Sequence, residues 1–224
     1  MSQKKILLTL LMFTMLFCGG SKISSKPASS VVRIAELLQK KEFGEAYSLY
    51  TNLTSIELDD LVKYIEKYPE KFPPIFYMIL ADHIYKTDKD KAVLWYYIGK
   101  LRAYEDVMMC NDETSRSQLA GYPLLAIDTI NYMSSKVTDV NFSIDIFQKS
   151  LDWDESHPKR TSPIWACYHG IEAFDHKPTL KQKSEFPKIK KEIRSQVETA
   201  INNRKNPEFV KQLKQYSKEY SVKN

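Results

Sequence analysis

Glycine is scarce in this chain, with six residues among 224, and the dipeptides Asn-Gly and Asp-Gly do not occur. Because those dipeptides form the tight turns of β-hairpins, their absence argues against a hairpin-rich sheet. Lysine and leucine are abundant, and both favour helices. The composition and the short polar connections together predict an all-α fold of antiparallel helical hairpins.

Signatures of several enzyme classes are also missing, namely Gly-x-Ser-x-Gly, His-Glu-x-x-His and a glycine-rich phosphate loop. Cys167 and His169 could suggest a thiol nucleophile with its base, but at i and i+2 of a helix their side chains point apart. The acidic residues Asp152, Asp154 and Glu155 fit a helix end and turn better than acid–base chemistry. We therefore predict no catalytic residue and no cofactor, with a small hydrolase as the alternative.

One set of metal-ligand side chains shares a helical face, at His169, Glu172 and His176. The spacing of i, i+3 and i+7 could hold a metal ion. It matches no known zincin pattern, however, and His176 lies beyond the expected end of the helix. The sequence therefore favours a coincidence on a helix surface, and no metal site is predicted.

The first 20 residues have the pattern of a secretory signal. Lys4 and Lys5 precede an uncharged apolar run over 6–17, and small residues follow that run. The run is shorter than the ~20 residues that cross a bilayer as a helix. Residues 1–20 therefore predict export, to the periplasm or to a membrane-anchored position in a bacterial cell envelope.

Cys18 closes the apolar run and is followed by Gly-Gly-Ser. This arrangement resembles the lipid-attachment cysteine of bacterial lipoproteins, which implies a mature chain tethered to the membrane by lipid on Cys18. Phe17 stands where the lipoprotein motif has a small residue. Ordinary cleavage after Gly20 is therefore the alternative.

Only two cysteines remain once Cys18 is removed or lipidated, Cys110 and Cys167. In an oxidising compartment this pair can form a disulfide, and we predict that it does. Two separate buried thiols are the alternative.

Composition divides the rest of the chain into three parts. Residues 21–30 are polar and serine-rich and predict a tether, and residues 31–176 carry the periodicity of a helical domain. Residues 177–224 contain thirteen Lys or Arg and five Glu, a net charge of +8, and predict basic helices packed on that domain. Attraction to an acidic partner or anionic lipid is the alternative, and no nucleic acid is expected for an exported chain.

Apolar periodicity and start signals place the individual helices. Thr54 and Glu57 form a capping box, Asp88 or Asp90 can cap the longest helix, and Ser30 can cap the first. The predicted helices cover 31–41, 45–52, the stretch from the capping box to the prolines at 69–74, and 75–85, 88–110, 113–120, 123–134, 140–151, 163–174, 181–204 and 207–220.

Two segments share a small residue followed four positions later by tyrosine, Ala46 to Tyr50 and Ala92 to Tyr96. They resemble the second helix of tetratricopeptide and Sel1-type repeats, and residues 91–97 resemble the Sel1 pattern most. The spacing of 46 residues and the lack of a closing proline imply divergent helical hairpins over 31–110 rather than a regular solenoid.

The longest predicted helix carries the candidate binding residues. Trp95, Arg102 and Asp106 follow one helical stripe with Cys110, and Arg102 and Asp106 are spaced to pair at i and i+4. Trp95, Tyr96, Arg102 and Asp106 are the candidate partner-binding residues. For Arg102 and Asp106 the favoured interpretation is an internal pair that orients residues 111–116.

Residues 75–160 resemble uncharacterised bacterial envelope lipoproteins, through the segments 93–116 and 151–154. Some repeat-containing members of that wider group are immunity partners of antibacterial effectors. The resemblance implies an exported or lipid-tethered protein-binding module, and specifically an immunity protein whose partner is a toxic secreted effector. An envelope scaffold or assembly lipoprotein is the alternative.

Overall fold

Helices make up the secondary structure of the computed structural model, which describes residues 28–175 and 177–221. The all-α prediction is therefore confirmed. The helices are α1 (Ser29–Gln39), α2 (Phe43–Thr51), α3 (Ser55–Lys67), α4 (Ile75–Ile79), α5 (Ala81–Tyr85), α6 (Lys89–Met108), α7 (Ile127–Ser135), α8 (Val140–Ser156), α9 (Ile164–Cys167), α10 (Glu172–Asp175), α11 (Phe186–Lys205) and α12 (Pro207–Ser221), with 3₁₀ turns at Pro69–Lys71, Glu113–Leu125 and Lys183–Glu185.

The predicted signal segment, Cys18 and residues 21–27 of the predicted tether lie outside the described residues. The last residues of that tether belong to a helix instead, because α1 begins at Ser29. Ser30 does not cap α1 but lies inside it and donates a hydrogen bond to Glu57 Oε1 at 2.6 Å.

Two helix starts occur as predicted. Thr54 Oγ1 accepts the Glu57 N–H while Glu57 Oε2 accepts the Thr54 N–H, which completes the capping box. The Asp88 carboxylate accepts the Lys91 N–H at the start of α6. Both signals are local in sequence, so they do not depend on how distant segments pack.

Two predicted helices are interrupted, and the predicted helix 113–120 is a 3₁₀ segment that also replaces the start of the predicted helix 123–134. The segment 75–85 divides at Leu80 into α4 and α5, and 113–125 forms a 3₁₀ segment that includes Pro123. The segment 163–174 divides into α9 and α10, with Gly170 between them. Pro123 and Gly170 favour the breaks in their own segments, because proline lacks an N–H and glycine lowers helix propensity. Residues 75–85 contain neither residue type.

Helix α6 lies at the centre of the fold and contacts α4, α5, α7, α8, α9 and α11. Buried residues occur around its whole circumference, as expected for a helix enclosed by others. Gly99 lets α4 pack closely on α6, because a Cβ there would lie 2.8 Å from the Pro74 carbonyl oxygen and 2.7 Å from Met78 Cγ. The charged residues of α6 therefore have to find partners inside the protein.

Helix α11 is the first α-helix of the basic segment 177–224, and it packs on α6 and α8. Its buried Ile193 and Ile201 share a core with Leu101, Phe147 and Leu151. Helix α12 contacts α11. Of the helices in the described ranges, none combines the length and the apolar character needed to cross a membrane.

Ala46 and Ala92, which carry the resemblance to helical repeats, are fully buried in α2 and α6. A small side chain at such positions lets neighbouring helices approach closely. The repeat resemblance itself stays a prediction.

Candidate functional site

The four residues predicted to bind a partner are buried. Arg102 is 2 % exposed and Asp106 is 1 % exposed, and Trp95 and Tyr96 are enclosed by apolar neighbours. These side chains therefore do not form a contact surface, and that prediction is wrong in this structure. The physical reason is the central position of α6, whose stripe faces other segments of the same chain.

Arg102 and Asp106 also do not take each other as ion-pair partners. Arg102 Nε donates to Asp154 Oδ1 at 2.6 Å, and Arg102 Cζ lies over the Trp153 ring, 4.6 Å from the ring centroid. The same guanidinium donates to the His157 carbonyl. Arg102 thus holds the end of α8 and the following turn against α6, and not the 111–116 segment.

Arg160 supplies the partner of Asp106 from the connection between α8 and α9. Its guanidinium donates to Asp106 Oδ1 at 2.7 Å, to Glu105 Oε2, and to the Arg102 carbonyl at 3.0 Å. Trp165 Nε1–H donates to the other Asp106 oxygen at 2.7 Å. Burial raises the pKa of both carboxyls, and their pairing with Arg160 opposes that rise.

The predicted disulfide is confirmed. Cys110 and Cys167 are bonded with their Cα atoms 5.4 Å apart, and both are buried. The bond joins the residues that follow α6 to the last residue of α9. A thiol nucleophile at Cys167 is therefore ruled out in this oxidised state.

The residues after Cys167 are held by a second set of contacts. The Ile171 N–H donates to Thr114 Oγ1 at 2.8 Å, and the Glu172 N–H donates to Asp112 Oδ2 at 2.9 Å. The Thr114 hydroxyl and the Glu172 N–H lower the pKa of Asp112, because they hydrogen-bond its ionised form. At Gly170 a Cβ would overlap Asp112 Oδ2, so a side chain there would displace the carboxylate that accepts the Glu172 N–H.

This braced segment presents three large apolar side chains to solvent: Tyr168 is 47 %, Ile171 65 % and Phe174 89 % exposed. The Tyr168 ring rests edge-on against Phe43 with centroids 5.6 Å apart. We call Tyr168, Ile171 and Phe174 the 168–174 surface. Exposed apolar groups on a fixed backbone can contact another molecule with little loss of chain entropy.

The 168–174 surface could not be recognised from the apolar periodicity, which predicts one continuous helix over these residues. Gly170 was the available signal for a break within that helix. Of the metal-ligand set, His169 packs edge-on against Trp165, and His176 lies outside the described residues. Across residues 28–175 and 177–221, no three His, Cys, Asp or Glu side chains are grouped to hold a metal ion.

Comparison of the chain with protein-family models, with curated proteins and with solved structures found no match. Its function is therefore argued from the arrangement of its own residues.

Proposed function

We propose that this chain is an exported protein-binding module that docks its partner on the 168–174 surface. The observation that carries the proposal is the exposure of Tyr168, Ile171 and Phe174 on a backbone fixed at its start and in its middle. The disulfide fixes the start of the segment, and hydrogen bonds to Asp112 and Thr114 fix its middle. Exposed aromatic side chains of this kind are the usual energetic anchors of protein interfaces.

The partner's chemistry follows from this surface and from what adjoins it in the chain. The surface is apolar, and the chain continues from it into the segment 177–224 with its net charge of +8. A protein with an apolar pocket bordered by acidic residues would complement both features. A secreted antibacterial effector is the partner we propose, in keeping with the resemblance to immunity proteins, and a scaffold role in the envelope is the alternative.

Site-specific photocrosslinking tests the docking surface. A benzophenone amino acid replaces Phe174 in one variant and Ile56 in the other, because Ile56 is a comparably exposed apolar residue on α3. We expect one discrete adduct from position 174 and none from position 56. The captured protein, once purified, should lose affinity at least tenfold for Phe174→Ser and bind Ile56→Ser like the unchanged chain.

Equal labelling from both positions, or unchanged affinity for Phe174→Ser, would remove the proposal. Gene deletion distinguishes a toxic effector partner from a scaffold role in the envelope. An immunity protein becomes dispensable when the gene of its toxic partner is deleted, whereas a scaffold remains required.

Export and lipidation are tested separately from binding. The Cys110–Cys167 disulfide supports export, because disulfides persist in oxidising compartments and are rare in the cytosol. We expect a shortened chain in the envelope fraction and incorporation of radioactive palmitate that Cys18→Ala abolishes. An uncut chain among cytosolic proteins would overturn export, and unchanged labelling of Cys18→Ala would overturn lipidation at that residue.

A further inference from the structure

A cleft of about 220 Å³ lies between α6, α8 and α11, on residues that neither the ion-pair network nor the 168–174 surface uses. Helix α11 lines it with Ile193, Val197 and Ala200, and α8 contributes the ring of Phe147. The main lining residues are Tyr97, Lys100, Tyr104, Phe147, Ile193 and Val197.

Lys100 is the charged group of this lining. Its ammonium lies 5.8 Å from the ring centroid of Tyr97 and 5.6 Å from that of Tyr104. Across the described ranges, no carboxylate lies within ion-pair distance of it. The neighbouring cations Arg102 and Arg194 differ in this respect, because both are paired with Asp154.

A half-buried ammonium without an anion is unfavourable, and burial lowers the pKa of Lys100 accordingly. An anion placed in the cleft would compensate the charge. The hydroxyl groups of Tyr97 and Tyr104 form no hydrogen bond within the described part of the chain, so they too can serve a ligand.

The walls limit the rest of the ligand. Phe147, Ile193 and Val197 offer apolar surface, and the volume of about 220 Å³ lies below the roughly 300–1,000 Å³ of sites for drug-sized ligands. A small ligand with one negative charge matches this size and this single positive charge best.

We propose that this cleft binds a small amphipathic carboxylate, with its anionic end at Lys100 and its apolar body against Phe147, Ile193 and Val197. The site is independent of the proposed protein-docking surface. It gives the protein a second, small-molecule ligand.

Titration calorimetry of the purified, disulfide-bonded chain tests the site with octanoate and with octanamide, which has the same length and no charge. We expect octanoate to bind at least tenfold more tightly than octanamide. Lys100→Met should weaken octanoate binding at least tenfold and leave octanamide binding unchanged. The control Lys149→Met changes an exposed lysine of α8 that is paired with Asp145, and it should bind like the unchanged chain.

Equal affinity for octanoate and octanamide would overturn the proposal, as would unchanged octanoate binding by Lys100→Met. Chemical-shift mapping of the unchanged chain keeps the test valid if Lys100→Met does not fold. Octanoate should then perturb amides at 97–104 and 193–200, and perturbations elsewhere or none at millimolar octanoate would also overturn it.

Discussion

Asp106 and Glu105 are neighbouring buried carboxylates on α6 that share the guanidinium of Arg160. The structure nevertheless predicts very different losses of folding stability when each is replaced by its neutral amide. Both oxygens of Asp106 accept hydrogen bonds, one from Arg160 and one from Trp165. Glu105 uses Oε2 alone, and its Oε1 is buried without a partner among the described residues. The isosteric amides therefore meet different surroundings.

Asp106→Asn replaces one acceptor oxygen by an NH₂ group. Whichever way the amide turns, a donor faces the N–H of Arg160 or that of Trp165. The loss of a charge-assisted hydrogen bond and the creation of an unsatisfied buried donor each cost roughly 1–3 kcal/mol. Burial already disfavours the ionised form of Asp106, which offsets part of that cost. We expect the free energy of unfolding to fall by about 3 kcal/mol.

Glu105→Gln can keep its oxygen on Arg160 and place the NH₂ group where Oε1 had no partner. It also removes a charge whose ionisation burial disfavours. We expect a loss of about 1 kcal/mol. Urea denaturation followed by far-ultraviolet circular dichroism measures both variants, and this signal does not depend on Trp165. Equal losses, or a larger loss for Glu105→Gln, would refute the hydrogen-bond assignment.

Three further outcomes follow from the same structure. Removing the Cys110–Cys167 disulfide, which spans 57 residues, should lower the unfolding free energy by about 4 kcal/mol on the chain-entropy account; urea denaturation with and without reductant measures this, and two reactive thiols in the unreduced, denatured protein would contradict it. Gly99→Ala should destabilise by about 1–3 kcal/mol despite better helix propensity, because its Cβ would meet the Pro74 carbonyl; a raised melting temperature would contradict this. Burial raises the pKa of Glu105 above its ordinary 4.5, so this carboxyl stays protonated to a higher pH in the folded protein than in the unfolded chain. The free energy of unfolding should therefore fall as pH rises from about 4.5 through that raised pKa. Glu105→Gln should reduce this dependence of stability on pH, as measured by thermal melts over a pH series.

Features that depend on neighbouring residues could be predicted from the sequence. The capping box at Thr54, the cap at Asp88 and the long central helix all rest on contacts within a few positions. The disulfide was predictable for a different reason, since removing Cys18 leaves only Cys110 and Cys167 to pair.

Contacts between distant segments could not be predicted in the same way. The spacing of Arg102 and Asp106 permits a local pair, but their partners Asp154 and Arg160 come from 52 and 54 residues further along the chain. Helical periodicity identifies a stripe without identifying the segment that covers it. For the same reason the cleft at Lys100 could not be predicted, because it forms where α8 and α11 pack beside α6.

The buried charges and the exposed apolar surface are connected through one segment of chain. Arg160 fixes the residues before α9 to α6, and the disulfide fixes the end of α9 to the residues after α6. Ordering a free loop costs on the order of 1–2 kcal/mol per residue, so a loop ordered only on binding would lose much of the energy that Phe174 contributes. The charged residues of α6 therefore position this segment, and the exposed side chains that we propose for recognition lie on the 168–174 surface and not on α6.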